Sequence, residues 1–189
     1  DIESLNFLLS ELKLKKIKIP SGELTNVPLL IDIAKKNRLT FLSTGMSNFN
    51  EIEQIIKILT KNGLNKKKIV ILHCNSAYPT PFNDANLRSI LFLRNKFNLK
   101  LGYSDHTLGI ESAVAAVALG AIVIEKHFTL NKKFKGPDHS SSLNPQEFKV
   151  MIESIRNVEK SLGTYGKSIT KSEKENMRFV RKSIVAKKN

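Results

Sequence analysis

The 189-residue sequence predicts an α/β fold, and two observations carry that prediction. Short apolar runs rich in β-branched residues alternate with longer segments in which apolar residues recur at i, i+3 and i+4. The alternation repeats about every 25–30 residues and gives the element order βαβαβαβαβα. Such an order requires a parallel sheet that is covered by helices.

Each predicted strand is a short apolar run bounded by polar or turn-forming residues. The predicted strands are residues 16–19, 39–43, 69–73, 99–103 and 121–125. The clearest helix carries Ile52, Ile55, Ile56 and Leu59, with Ser47 or Asn48 as its N-cap and Asn62–Gly63 as its stop. Further helices are predicted over about 27–36, 86–97, 110–119 and 145–162, and the apolar spacing of residues 2–9 indicates an opening helix.

Polar residues at the strand ends distinguish between a doubly wound sheet and a (β/α)8 barrel, which both fit the alternation. All five predicted strands end in a chemically rich cluster, such as Ser21–Gly22–Glu23 after the first and His73–Cys74–Asn75–Ser76 after the third. Barrel enzymes place their chemistry at the C-terminal ends of all strands, whereas doubly wound sheets concentrate it at a switch point. We therefore expect an incomplete (β/α)8 TIM barrel, with about three βα units preceding Asp1.

Composition and cysteine usage narrow the class of protein. Hydrophobic residues make up 41% of the chain, which suits one domain with a sizeable core. No apolar run approaches the roughly 20 residues that span a bilayer, and no signal peptide is recognised, so we expect no membrane association. Cys74 is the single cysteine, which excludes an internal disulfide framework and favours the cytoplasm.

The formal net charge is +14, which is open to three interpretations. A basic chain can bind nucleic acid or attract anionic substrates. The lysines are spread along the whole sequence, however, and no nucleic-acid motif or interleaved aromatic residues accompany them. We therefore favour lysine-rich, solvent-exposed helix faces and expect no nucleic-acid partner.

The pattern changes after residue 163. Residues 163–167 are predicted as a loop, 168–178 as a short polar helix and 181–186 as the first strand of a further domain. This divides the chain into a partial barrel over 1–163 and a linker over 164–189 that leads into a missing domain; a frayed C-terminus is the alternative. Because the chain also lacks an initiator methionine, we expect it to be a fragment.

His106 and His127 are candidate metal ligands. Each follows a predicted strand, on two consecutive βα units, so their side chains can converge at one rim. Imidazoles on a rigid scaffold suit Mn, Zn or Fe, with oxygen ligands completing the shell. Spacing alone leaves open the ordinary alternative, in which each histidine is a hydrogen-bonded structural residue.

Carboxylates and hydroxyls lie near the same strand ends. The carboxylates are Glu23, Asp105, Glu125 and Asp138, and the hydroxyls are Ser21, Ser43, Ser76 and Ser104. Neighbours on a strand alternate, so Asp105 is expected to point away from the face that His106 serves. An inward-pointing Lys18 needs an anionic partner; the alternative, which the same parity of Lys16 indicates, is that one or both lysines face solvent. Hydroxyls, backbone amides and a lysine around one opening can hold a phosphate.

Six stretches, in order and covering nearly the whole chain, resemble the sialic acid synthase family of N-acetylneuraminate, legionaminate and pseudaminate synthases. They are KIPSGE (18–23), LSTGM (42–46), LHCNSAYPTP (72–81), GYSDHT (102–107), EKHFT (125–129) and GPDH (136–139). The resemblance implies a phosphoenolpyruvate-dependent (β/α)8 barrel followed by a small antifreeze-like domain. The five strands would then be strands 4 to 8, and the full-length protein would be a domain-swapped homodimer. The fragment alone would be inactive.

The resemblance also implies roles for individual residues. His106 and His127 match the ligands of a catalytic divalent metal, Mn²⁺ or Mg²⁺. The residues that match the surroundings of the phosphoenolpyruvate phosphate and carboxylate are Lys18, Ser21, Ser43 and Ser104, and Ser76 lies where the family has Asn or Ser. Tyr78 matches a residue at the sugar end, and Glu23 and Asp138 match acidic residues near the metal, its water and the acceptor.

These roles imply condensation of phosphoenolpyruvate with N-acetylmannosamine or a diacetamido-trideoxyhexose, giving a nonulosonic acid and phosphate. Glu23 is expected to handle a proton of the attacking water, and Asp138 to orient the acceptor hydroxyl or metal water. One alternative is another phosphoenolpyruvate aldol-type synthase on the same barrel, against which residues 73–81 argue. The other is a non-catalytic barrel remnant that binds sugar or nucleic acid.

Overall fold

The computed structural model describes residues 1–182, 184, 185 and 187 and shows an α/β fold around one parallel sheet. The strands are β1 (Lys16–Ile19), β2 (Leu39–Ser43), β3 (Ile69–Cys74), β4 (Lys100–Asp105) and β5 (Ile124–Lys126). They lie in sequence order across the sheet, and each pairs in parallel with the next. All five predicted strands are therefore confirmed.

Helices follow the strands as predicted. The first four are α1 (Ile2–Ser10), α2 (Val27–Lys36), α3 (Phe49–Lys61) and α4 (Arg88–Phe97), and the others are α5 (Glu111–Ala118), α6 (Pro145–Leu162) and α7 (Lys171–Val180). The crossovers between strands are made by α2 to α5. Short 3-10 turns lie at Ser21–Glu23, Lys66–Lys68 and Phe82–Asp84. The bounds of α2 and α6 agree with the prediction.

β3 extends one residue beyond the prediction, to Cys74, and the last two strands differ more. β4 extends two residues beyond 103, and β5 begins at Ile124 and extends to Lys126. The apolar runs alone predict strands that end too early, because Ser104, Asp105 and Lys126 are polar. These three residues have hydrogen-bond or ion-pair partners inside the fold. At the other end of β5, Ile122 still donates its N–H to the Leu101 carbonyl, but 62% of the residue is exposed.

The sheet is curled, like part of a barrel. Lys18 of β1 and Glu125 of β5 form an ion pair at 2.5 Å, although these strands lie at opposite edges of the sheet. In a flat sheet, four spacings of about 4.8 Å would hold the two backbones about 19 Å apart, which is too far for these side chains to meet. The concave face therefore gathers the C-terminal ends of all five strands into one mouth.

The convex face packs against the helices. Alternate strand residues, including Ile19, Leu42, Ile71 and Tyr103, join one core with apolar side chains of α2, α3 and α4. A smaller cluster joins α5 and α6 through Ala113, Val117, Met151 and Ile155, with Leu143 of the preceding loop. Because the helices cover the convex face, the concave face and the strand ends are left for the polar residues.

The segment after residue 163 contributes little to this core. Helix α7 has no buried residue in the part of the chain that the structure describes, and Phe179 is 81% exposed. It begins at Lys171, later than predicted, because Thr170 forms a capping box with Glu173. The strand predicted over 181–186 includes Ser183 and Ala186, which lie outside the described residues. Among the described helices, none is both long and apolar enough to cross a membrane.

Candidate active site

One cavity of about 280 Å³ opens at the strand ends, and we call it the strand-end cavity. It brings together seven of the ten predicted site residues, namely Lys18, Ser21, Ser43, Ser76, Tyr78, Ser104 and His106. Side-chain alternation places Lys18, Ser43 and Ser104 on the concave face. The other four residues reach the cavity from the segments that follow β1, β3 and β4. A larger cavity of about 490 Å³ adjoins it between α3 and α4, but of the predicted residues only Ser76 lines it.

His106 is held in one orientation by the backbone of the neighbouring strand end. Its Nδ1 lies 2.6 Å from the Asn75 carbonyl oxygen, which only accepts, so Nδ1 must donate. The lone pair of the neutral ring is then on Nε2, 3.5 Å from Ser104 Oγ at the strand-end cavity. Burial lowers the pKa of His106 below its ordinary value, and this outweighs the opposing effect of the Asn75 carbonyl. A neutral imidazole is the form that binds metals.

His127 lies beside His106, as predicted. The two ring centroids are 5.1 Å apart and the rings are perpendicular. The Tyr78 ring covers both imidazoles, with centroids 4.1 Å from His106 and 5.5 Å from His127. Asp138 approaches from the loop between β5 and α6, where its Oδ2 lies 3.7 Å from His127 Nδ1. The fold thus assembles two imidazoles, a phenol and a carboxylate on one side of the mouth.

Two imidazole nitrogens are the donors that this side of the mouth could offer to a metal. The described residues contain no group of three His, Cys, Asp or Glu side chains arranged to hold a metal. His106 and His127 would therefore supply two nitrogen ligands, and water or substrate oxygens would complete the shell. Imidazole with oxygen ligands suits Mn²⁺ well, while Mg²⁺ prefers a shell made of oxygen alone.

Lys18 has the anionic partner that its inward position requires. Its ammonium donates to Glu125 Oε1 at 2.5 Å, and the Ser104 hydroxyl donates to the same oxygen at 2.7 Å. Burial raises the pKa of Glu125, but the hydrogen bonds from Lys18 and Ser104 lower it more, so the net pKa lies below its ordinary value. Glu125 is therefore an ionised carboxylate on the concave face, where it bridges Lys18 and Ser104.

Small residues and hydroxyls form the opposite wall of the strand-end cavity. Ser21 Oγ accepts the Gly45 backbone N–H at 2.9 Å. A Cβ at Gly45 would lie 2.8 Å from Ser21 Oγ and still closer to Ser76 Oγ, so only glycine allows both serines to approach. Ser43 Oγ is buried and has no hydrogen-bond partner among the described residues. Such an orphaned hydroxyl beside a cavity fits a ligand with acceptor oxygens.

Glu23 is placed less centrally than the other predicted residues. It lies in the 3-10 turn that follows β1, where its Oε2 accepts from the Asn26 side-chain amide at 2.7 Å. In the part of the chain that the structure describes, it is not among the residues that line the strand-end cavity. Its role as the base for water stays a prediction.

Two residues at the site were not assigned roles from the sequence. Cys74 lines the strand-end cavity, with its Sγ 3.9 Å from His106 Nδ1, and Asn75 orients His106 through its carbonyl oxygen. The position of Cys74 follows from alternation along β3, since Leu72 and Cys74 share the concave face. The Asn75 contact gave no sequence signal, because any residue supplies a backbone carbonyl.

Comparisons with known proteins agree with the sequence resemblance. The sequence model of the NeuB family matches residues 1–167. The N,N'-diacetyllegionaminic acid synthase of Campylobacter jejuni is 53% identical over 189 residues, which are 100% of this chain and 56% of that protein. The N-acetylneuraminate-9-phosphate synthase of Drosophila melanogaster is 44% identical over 158 residues, 83% of this chain and 42% of that protein.

Solved structures show the same fold. The N-acetylneuraminic acid (sialic acid) synthetase of Leptospira borgpetersenii, crystallised with citrate, superimposes with a TM-score of 0.85 at 35% identity, over 95% of this chain and 61% of that one. The chain spans about half the length of the curated relatives it matches. The family match nevertheless covers most of the chain and includes all five strand ends. The chain therefore belongs to the NeuB family, a family of sialic acid synthases.

Proposed function

We propose that the complete protein condenses phosphoenolpyruvate with an N-acetylated hexosamine to give a nonulosonic acid and phosphate. N-Acetylmannosamine and a diacetamido-trideoxyhexose are the candidate acceptors. The observation that carries the proposal is the strand-end cavity, where Lys18 and several hydroxyls lie beside the two imidazoles. The names of the relatives, which are synthases of legionaminic and N-acetylneuraminic acids, support the class of product.

Phosphoenolpyruvate carries a phosphate and a carboxylate, and the cavity offers donors for both. Lys18 has three N–H donors and uses one of them on Glu125, so it can keep this partner and still bind a phosphate oxygen. Ser21 and Ser43 face the same cavity, and the Ser43 hydroxyl is unused within the described residues. Charge-assisted hydrogen bonds of this kind are stronger than neutral ones.

We propose a divalent metal, Mn²⁺ or Mg²⁺, at His106 and His127; when bound, it would polarise the open-chain aldehyde of the acceptor sugar. Tyr78 covers both imidazoles and is positioned to contact the sugar. Asp138 lies beside His127 and is positioned to orient an acceptor hydroxyl. These residues would hold the aldehyde carbon against C3 of phosphoenolpyruvate.

In the proposed reaction, C3 of phosphoenolpyruvate forms a bond to the aldehyde carbon, and the aldehyde oxygen becomes a hydroxyl by taking up a proton. Water adds to the electron-deficient C2, and Glu23 accepts its proton. The bond between C2 and the bridging oxygen then breaks and its electron pair leaves with the phosphate, while the C2 hydroxyl loses its proton to solvent and becomes the ketone of the product. Lys18 offsets the charge of the departing phosphate.

The remaining features of the complete protein are also proposals. We propose that the five strands are strands 4 to 8 of an eight-stranded barrel, and that residues 164–189 lead into an antifreeze-like domain of a domain-swapped homodimer. The superposition on the Leptospira synthetase supports the partial barrel, and the strand numbering, the further domain and the dimer rest on the sequence resemblance alone. We propose a cytoplasmic location, for which the support is that Cys74, the single cysteine, is free and buried. Neither nucleic acid nor a membrane is a partner in this proposal.

Phosphate release from phosphoenolpyruvate tests the proposed function. The complete protein is stripped with a chelator and assayed with and without Mn²⁺, using N-acetylmannosamine, a diacetamido-trideoxyhexose and, for the rival aldol-type synthases, erythrose 4-phosphate and arabinose 5-phosphate. We expect metal-dependent release with an amino sugar and none with the sugar phosphates. Absence of release with every hexosamine would contradict the proposal, and a salt-sensitive nucleic-acid complex would then favour the barrel remnant.

A further inference from the structure

A buried ion pair lies directly behind the two histidines, on the convex face of the sheet. Asp105 and Lys126 are the last residues of β4 and β5 and face each other in the register of these strands. Lys126 Nζ lies 2.8 Å from Asp105 Oδ2, and the two side chains are 1% and 0% exposed. Asp105 immediately precedes His106, and Lys126 immediately precedes His127. The ion pair therefore links the two backbone positions next to the histidines.

Thr107 closes the network on the other side of His106. The Lys126 ammonium also donates to the Thr107 carbonyl oxygen at 2.5 Å. Asp105 Oδ1 accepts both the Thr107 backbone N–H at 2.9 Å and its hydroxyl at 2.8 Å. The residues before and after His106 are therefore bonded to each other and to β5, which leaves the His106 backbone little freedom to shift relative to His127.

On the concave face, a second contact joins the ends of β4 and β5, one residue before the Asp105–Lys126 pair. Ser104 and Glu125 are register partners, and the Ser104 hydroxyl donates to the Glu125 carboxylate at 2.7 Å. The carbonyl of His106 accepts the Thr80 N–H, and that of His127 accepts the Leu143 N–H, both at 2.9 Å. Bonds on both faces of the sheet thus fix the backbone at His106 and at His127. Of these two residues, only the imidazole rings project to the mouth.

Stability alone is a weak explanation for the Asp105–Lys126 pair. Removing two charges from water is costly, and buried ion pairs are often no more stabilising than apolar side chains of the same shape. Well-connected buried polar groups can instead specify one arrangement of the backbone. The groups behind metal-binding histidines have a comparable effect, because they orient the ligands.

We propose that the Asp105–Lys126 ion pair, completed by Thr107, positions His106 and His127 at the separation that a divalent metal requires. The pair touches neither substrate nor metal and acts through the two strand ends. This inference rests on the proposed metal site. Loss of the pair would weaken metal binding while the core, which packs on α2, α3 and α4, remains folded.

The test compares Mn²⁺ affinity with stability in the complete protein. The double variant Asp105→Asn with Lys126→Met removes both charges together and keeps an acceptor for Thr107. The matched control, Arg156→Met with Glu159→Gln, removes an ion pair on α6 whose side chains are 64% and 45% exposed. Free Mn²⁺ is titrated by electron paramagnetic resonance, and thermal unfolding is recorded without metal.

We expect the dissociation constant of Mn²⁺ to rise roughly tenfold to a hundredfold in the double variant. The control should bind like the parent, and all three metal-free proteins should unfold at similar temperatures. An unchanged dissociation constant in the double variant overturns the inference. If the double variant does not fold, the same titration is made with Thr107→Val. This variant keeps both charges and loses only the hydroxyl bond to Asp105. An unchanged dissociation constant of Mn²⁺ in Thr107→Val would also overturn the inference.

His106→Ala separates this inference from the proposed function. If the parent binds no Mn²⁺, or if His106→Ala binds it as tightly as the parent, the proposed metal site fails and the positioning role falls with it. If His106→Ala loses Mn²⁺ but the double variant binds like the parent, only the positioning role is overturned.

Discussion

Ser43 illustrates how one side chain connects stability with ligand binding. Its hydroxyl is buried beside the strand-end cavity and is unpartnered within the described residues. A buried polar group without a partner costs about 1–3 kcal/mol, so the folded chain without substrate carries a cost at this position. A phosphate or carboxylate oxygen from the substrate would remove that cost.

Replacing Ser43 with alanine should therefore separate stability from affinity. In Ser43→Ala, the free energy of unfolding should stay equal or rise by up to about 1 kcal/mol, because the unsatisfied hydroxyl is gone. The KM for phosphoenolpyruvate should rise about tenfold, as expected for the loss of a hydrogen bond to a charged oxygen. Urea unfolding and steady-state kinetics of the complete protein measure the two effects.

Thr40→Val is the matched control, because Thr40 is also buried on β2 but its hydroxyl is already bonded to the Arg38 carbonyl oxygen at 3.0 Å. It should lose about 1 kcal/mol of stability and keep the parent KM. A Ser43→Ala variant that is destabilised and has an unchanged KM would show that the Ser43 hydroxyl does not serve the substrate.

Individual site residues were partly predictable from the sequence. Polar residues that follow apolar runs identified His106 and the strand-end serines, because the C-terminal ends of parallel strands meet, and Lys18 was identified as a lysine inside a strand. The partner of Lys18 was not identified, since Glu125 lies 107 positions away and only the curl of the sheet brings them together. The predicted role of Glu23 has the least structural support, because the observed hydrogen bond of its side chain is to the nearby Asn26.

Helix α3 shows how well a local signal specifies an element. The sequence left Ser47 and Asn48 as alternative N-caps, and the structure selects Asn48. Its side chain accepts the Glu51 backbone N–H at 3.1 Å, and the Glu51 carboxylate accepts the Asn48 backbone N–H at 2.7 Å. This capping box satisfies two donors at the beginning of the helix.

The cap predicts the outcome of two neighbouring substitutions. Asn48→Ala should lower the free energy of unfolding by about 1 kcal/mol, because the first turn of α3 loses its side-chain acceptor. Ser47→Ala, the matched control, should change it by less than about 0.5 kcal/mol, the usual range for surface substitutions. Urea unfolding of both variants gives the values, and equal losses would show that the cap of α3 contributes nothing specific.

The ends of β4 and β5 were less predictable than the beginnings of α3 and α6, and the reason is physical. The caps at Asn48 and Asn144 and the prolines near helix starts are local signals that a single sequence contains. The ends of β4 and β5 depend on partners from other strands. In the sequence, Asp105 and Lys126 resemble polar loop residues. Their ion pair in the structure shows that they are buried strand residues.

On the scale of the whole molecule, the order of the elements determines where the chemistry lies. Parallel strands in sequence order, each returned by a helix, place all five strand ends at one mouth. The alternation of apolar runs predicted this arrangement. The barrel prediction implied a curled sheet. The particular ion pairs, Lys18 with Glu125 between β1 and β5 and Asp105 with Lys126 behind the histidines, arise from contacts between distant residues and were not predictable from a single sequence.

On the scale of the whole molecule, we propose that a catalytic metal binds the two histidines on adjacent strand ends. The most direct test is the rate of phosphate release by the complete protein, stripped of metal and titrated with Mn²⁺, for the parent and for His127→Ala. We predict that Mn²⁺ restores the parent, while the variant keeps its fold by circular dichroism and stays at least about a hundredfold slower, a barrier change of about 2.7 kcal/mol. Full Mn²⁺-dependent activity in His127→Ala would contradict the assignment.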